Sequence, residues 1–207
     1  MRVPCSPGVS GGPVIRLSER ARTAAYGILA AYLFICSGFA RAAAGQETLT
    51  VDTVAFVKAM RLMDTDFTLA GAGLHRYRIV FRGYAAALYL GTGEIPASVF
   101  KDIPKRLEIE YYHAIPAAGF IDATREGMKR NVSRGDLGRM RPRMERLFRA
   151  YHPVRPQDRY AFTYVPGKGS TLTLNNVPLD VFEGLDFANA FLSIWIGPEP
   201  ADEGLKS

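Results

Sequence analysis

Apolar and polar positions alternate with a period of two over much of the chain and shift to helical spacing in three places. Residues 67–69 open a strand-like run, and Gly71 and Gly73 follow it. Tyr77, Ile79 and Phe81 then alternate with Arg78, Val80 and Arg82. That pattern predicts a strand with the first three side chains on one face and the other three opposite. Carried back along the pleat, it puts His75 on the apolar face and Arg76 on the other. Residues 84–90 are almost wholly apolar and predict a strand buried on both faces. Residues 105–113 set Leu107, Ile109 and Tyr111 against Glu108, Glu110 and Tyr112, the pattern of a half-buried strand. Residues 158–164 and 170–174 flank Pro166-Gly167-Lys168-Gly169 and predict a hairpin. Asn175-Asn176 then turns the chain into a short strand over 177–182.

Helical spacing appears after Pro116, where Phe120, Thr124, Gly127, Met128 and Asn131 share a face. Asp136 can cap a second helix with Met140, Met144, Leu147, Phe148 and Tyr151 as its apolar stripe. Pro142 kinks this helix or marks its start. Asp186 precedes a final apolar helix over 187–196, ended by Gly197 and Pro198. Residues 97–102 read as a helical turn, and 47–63 start with a short strand, in a pattern that a helix would also fit. Strands outnumber helices, which predicts an α+β fold with an antiparallel sheet covered by helices on one face.

The first 44 residues differ from the rest. Arg16, Arg20 and Arg22 precede an uncharged run over 23–40, and small residues at Ala40, Ala42 and Ala44 follow. This predicts a cleavable signal peptide over 1–44, a domain over 45–207, and a periplasmic or secreted location. An uncleaved anchor is the alternative, since 18 uncharged residues lie at the lower limit for spanning a bilayer. Both cysteines, Cys5 and Cys36, fall in this leader, so the domain holds no thiol for a disulfide, a metal or a nucleophile. The leader also carries a net charge of +4 of the chain's +6, leaving +2 on the domain, too little to indicate a nucleic-acid partner. The expected contact with a membrane is through the leader alone, and a monomer is expected.

Phosphate and cofactor motifs fail on spacing. Gly71-Ala72-Gly73 would need a third glycine where Arg76 stands, and a strand follows instead of a helix. Gly167-Lys168-Gly169-Ser170 lacks the upstream glycine of a phosphate loop. No G-x-S-x-G occurs, and His75, His113 and His152 show no metal-ligand spacing. No cofactor and no metal are therefore expected.

The residues do carry a family resemblance. GAGLH, the alternating strand after it and YAAALYLG resemble the core signature of chalcone-isomerase-like proteins. YAFTYVPGKGSTLTLNN resembles their late hairpin, and FANAFLSIWIGPEPADEGLK, residues 187–206, their last helix and tail. The resemblance runs collinearly over about 47–207. It implies an open-faced β-sandwich whose antiparallel sheet is covered by helices, with a cleft between the two. In the family's isomerases an arginine after the glycine pair holds a phenolate, one threonine organises a water at the ketone, a second threonine and an asparagine line the pocket, and a tyrosine shares the water with the first threonine. Those positions fall here on His75, Tyr84, Ile194, Gly127 and Phe120. Histidine is only partly charged at neutral pH, and Phe120 and Ile194 cannot hydrogen-bond a polar substrate. The resemblance thus implies a non-catalytic member binding a fatty acid or similar apolar carboxylate. His75, Arg82 and Tyr84 are candidates at the carboxylate, with Phe120, Phe191, Ile194 and Trp195 against the tail. A divergent intramolecular lyase using His75 and Tyr84 is the second reading, and an interaction domain without a ligand is the third.

Overall fold

The computed structural model describes residues 46–77 and 81–201, with Tyr77 and Phe81 described by backbone alone. The leader and Ile79 lie outside the described residues. Strands β1 (Thr48–Val51) and β2 (Val54–Val57) form a two-stranded hairpin. A seven-stranded antiparallel sheet follows in chain order: β3 (Ala59–Leu62), β4 (Thr65–Tyr77), β5 (Phe81–Gly91), β6 (Lys105–Tyr111), β7 (Arg159–Val165), β8 (Gly169–Leu174) and β9 (Val177–Phe182). Helices α1 (Ala117–Asn131), α2 (Arg134–Ala150) and α3 (Leu185–Ile196) complete the α+β domain. Residues 47–63, which fit strand or helix on pattern alone, make three short strands. Asp52, Met63 and Asp64 adopt left-handed conformations at the turns between them.

The glycine pair does not break the strand. β4 runs through Gly71 and Gly73, and the chain turns back between Tyr77 and Phe81, which face each other across β4 and β5. The single strand expected over 77–82 is thus corrected to a hairpin. Two register shifts adjust the pairing, one between Leu69 and Gly71 and one between His75 and Arg76. At the second, Gly83 is the extra residue of a β-bulge. His75 pairs with Tyr84 and Arg76 with Arg82, so the bulge absorbs one step of alternation. Tyr84 therefore joins His75, while Arg82 follows Arg76.

Each sheet face has its own core. Ala86, Leu107, Ile109, Tyr160, Phe162 and Leu172 meet the helices, whose Phe187, Phe191, Leu192 and Leu147 are buried there. Each such side chain, fully buried, stabilises the fold by about 1.5–3 kcal/mol. Ala85, Ala87, Tyr89 and Phe67 face the other way, under Val54 and Phe56 of the β1–β2 hairpin. Because both faces are covered, β6 is buried at every position but Glu110 and not half-buried as its alternation implies.

The helices follow their apolar stripes. Pro116 precedes the first residue of α1. α2 begins earlier than its sequence suggests, because Ser133 and not Asp136 is the cap: Asp136 N–H donates to Ser133 Oγ at 3.1 Å. The helix then runs through Pro142. α1 comes close to α3 at Gly127, where an added Cβ would lie 2.6 Å from Ile194 Cγ2. The space a side chain at 127 would take is filled by Ile194.

Candidate functional site

The site grows from three cross-strand rows on the helix-facing side of β4, β5 and β6. Gly71 pairs with Leu88, Gly73 with Ala86 and His75 with Tyr84, while Leu88, Ala86 and Tyr84 pair onward with Leu107, Ile109 and Tyr111. In the first two rows Gly71, Gly73 and Ala86 contribute little or no side chain. A cleft of about 400 Å³ opens over them, lined by Gly71, Gly73, Ala86, Leu88, Val99 and Trp195 among others. That volume lies within the range of about 300–1,000 Å³ usual for small-molecule sites. At Gly71 an added Cβ would meet nothing within 4 Å, so the glycine leaves open space.

The third row carries polar side chains beside the cleft, joined to its lining through Trp195. The imidazole of His75 stacks on the ring of Tyr84, with centroids 4.6 Å apart and planes at 22°. The stack presses on the bulge, since a Cβ at Gly83 would lie 2.9 Å from His75 Cδ2. Only glycine leaves that ring its place. Tyr84 Oη accepts the indole N–H of Trp195 at 3.1 Å, which ties α3 to the sheet across the cleft.

A second, smaller chamber of about 60 Å³ lies deeper between the sheet and α1. Tyr111, Phe120, Thr124, Tyr151, Tyr160, Phe162, Phe191 and Ile194 line it, and Leu107 and Trp195 form walls of both chambers. Its aromatic rings meet edge to face or tilted, except that Phe162 and Phe191 stack with centroids 4.0 Å apart. Tyr111 and Phe120 stand 5.2 Å apart between centroids, as do Phe120 and Tyr160. Burial and the neighbouring tyrosines push the Tyr111 hydroxyl well above the ordinary phenol range, and burial does the same for Tyr151.

Of the residues singled out from sequence, the structure brings His75, Tyr84 and Trp195 into direct contact. It also sets Phe120, Ile194 and Trp195 on one inner chamber. Arg82 does not join them. Its guanidinium bonds Asp52 at 2.7 Å and lies over the ring of Tyr112, on the side of the β1–β2 hairpin. The Gly83 bulge is the cause, because it turns Arg82 away from Tyr84. The sequence pattern put Tyr111 on the apolar side of a strand and Tyr151 in a helix stripe, and gave Tyr160 and Gly71 no part in the site. The signal for Tyr111 lay in its alternation with Leu107 and Ile109. Among the described residues no three His, Cys, Asp or Glu side chains gather as metal ligands, and no helix is long and apolar enough to cross a membrane.

Comparison with known proteins matches residues 48–207 to a family described as chalcone isomerase-like. No curated protein matches the chain. Among solved structures, a fatty-acid binding protein of Arabidopsis thaliana superposes with a TM-score of 0.61 at 15% identity. The match covers 77% of this chain and 94% of that one, a likeness of fold.

Proposed function

The chain belongs to the chalcone isomerase-like family, and from that premise we propose that it binds a fatty acid or similar small apolar carboxylate. The reading rests above all on the largely apolar cleft over Gly71, Gly73 and Ala86, whose wall residue Trp195 bonds Tyr84 and so sets the His75–Tyr84 pair beside it. An acyl tail gains from leaving water along such a floor, by about 0.8 kcal/mol for each methylene buried. A carboxylate needs donors, and the imidazole and phenol beside the cleft can supply them. The fatty-acid binding title of the Arabidopsis protein supports the same ligand class. Phe120 and Ile194 offer no donor to a ketone, which disfavours ring closure of a chalcone. We further propose that the domain acts after export, a reading that rests on the leader sequence alone.

Native mass spectrometry of protein recovered from the cell envelope tests both proposals together. The polypeptide should begin between residues 41 and 46 and carry a co-purified acyl ligand. Gly71→Leu should eject that ligand without loss of folding, because its side chain enters the open floor. His75→Ala should weaken retention and His75→Arg should keep it. Ligand retained unchanged in Gly71→Leu would place the binding elsewhere. Turnover of an enone phenol, lost in His75→Ala, would assign the divergent lyase instead.

A further inference from the structure

Tyr111 differs from every hydroxyl around it. Tyr151 Oη is paired with Thr124 Oγ1 at 2.8 Å. Tyr160 Oη donates to the carbonyl of His152 and accepts from its N–H. Tyr84 Oη accepts from Trp195. The Tyr111 hydroxyl makes no hydrogen bond among the described residues, although the residue is 94% buried and lines the inner chamber. Its oxygen is not sealed into the packing, so the hydroxyl opens onto the chamber, where an occupant or a water is what can satisfy it. The ring alone explains the packing on Phe120, and a phenylalanine would supply it.

The surroundings define what such a donor could take. Leu107, Ile109, Phe120, Phe162, Phe191 and Ile194 make the chamber apolar, and none of its described lining residues is a Lys, Arg or His. A carboxylate would be desolvated there without a countercharge, so the acceptor is an uncharged oxygen. Its position follows from the register. Tyr111 is the direct cross-strand neighbour of Tyr84, with ring centroids 6.0 Å apart, and Tyr84 stacks on His75. An oxygen held by Tyr111 therefore lies within a few bonds of a carboxylate held at His75 and Tyr84. The chamber's 60 Å³ accommodates a small substituent, about the space of two waters.

We infer that Tyr111 is a second polar anchor of the cleft, taking a hydroxyl or keto oxygen close to the carboxyl end of the acyl ligand. This rests on the acyl-binding reading above and narrows it from plain to oxygenated chains. The test compares dodecanoic acid with 3-hydroxydodecanoic acid by calorimetry on wild type and Tyr111→Phe. Wild type should hold the hydroxy acid several-fold tighter, up to about tenfold, the yield of one added hydrogen bond. Tyr111→Phe should erase that preference and bind dodecanoic acid as before. Equal affinity of wild type for the two acids overturns this inference alone, as does a preference that survives in Tyr111→Phe. Binding of neither acid overturns the acyl-binding reading with it. Melting provides a second readout: Tyr111→Phe should unfold at or above the wild-type temperature. A fall of several degrees would show that the fold itself uses the hydroxyl, and would overturn the assignment.

Discussion

Strand β6 shows Leu107, Ile109 and Tyr111 to the helices and Arg106, Glu108 and Glu110 to the β1–β2 hairpin. The two sides treat their charged groups differently, although the Tyr89 hydroxyl under the hairpin is buried without a partner. Under the hairpin, Arg106 Nε bonds Glu108 at 2.8 Å and its Nη1 reaches Thr163. Arg159 bonds Glu108 at 3.0 Å and Glu110 at 2.6 Å, donates to the carbonyl of Ala55 and covers the ring of Phe56. Two cations thus meet two anions, and the hairpin is locked down. On the helical side the polar groups are hydroxyls and an imidazole set around open space. A polar group whose partners are all protein belongs to the fold. One buried at the edge of a cleft with capacity to spare points to a ligand.

Removing one member of the ionic set should give the largest effect and sharpen the contrast. Glu108→Ala leaves Arg106 and Arg159 short of countercharge in a buried place, and should cost about 3–5 kcal/mol in denaturant unfolding. A loss below about 1 kcal/mol, the range of a surface ion pair, would mean that water reaches the cluster and would break the comparison.

Lys105 is the helical side's one exception, and pH exposes it. Its ammonium is buried, donating to the Lys101 carbonyl at 2.7 Å and Asn189 Oδ1 at 2.9 Å, with the Tyr164 ring beneath. Both hydrogen-bond acceptors are neutral, so burial lowers its pKa to about 8 despite the nearby Asp102. Below pH 8 folded and unfolded chains are both protonated there, and stability is flat with respect to this group. Above it the folded state releases the proton first, so stability should rise with pH toward the ordinary lysine value near 10.4, by up to about 1.4 kcal/mol per unit. At higher pH the trend should reverse. Burial raises Tyr151 and Tyr164, the latter to about 12 with help from Asp102, so they stay protonated when the unfolded chain's phenols ionise. Lys105→Met should remove the rise, as read from denaturant midpoints between about pH 7 and 10.

The smallest effect is expected at Arg82. Its pair with Asp52 is partly exposed and lies away from the cleft. Arg82→Ala should leave acyl affinity unchanged and the melting temperature nearly so. A clear loss of affinity would bring the guanidinium back to the ligand and undo the division between the faces.

Much of the fold was legible in the chain, and the gaps have physical causes. The alternation in 105–113, the hairpin strand over 158–164, the Asn175-Asn176 turn and the apolar run before Gly197 correspond to β6, β7, the β8–β9 turn and α3. Alternation assigns faces but cannot say what covers them, so Glu108 read as a solvent-facing residue. Nor does it reveal reversal: Tyr77 and Phe81 alternate equally well along one strand or across a hairpin. The same applies to the site. His75 was placed on the correct face by the pleat, whereas Arg82 was chosen for its charge, and the one-residue bulge at Gly83 separates it from Tyr84. Tyr111 was visible as an apolar-face residue, but a sequence does not show whether a phenol has found a partner.

Trp195 is the only tryptophan in the chain. Its indole packs on Phe191 with ring centroids 5.1 Å apart, forms a wall of both chambers and donates its N–H to Tyr84. Ultraviolet emission excited at the red edge of protein absorption therefore comes from a single place, the partition of the cleft. An occupant that takes over Tyr84 or shifts the partition changes the polarity around that one fluorophore. The protein thus carries its own optical reporter of occupancy, readable without label, substrate or foreknowledge of what the occupant is.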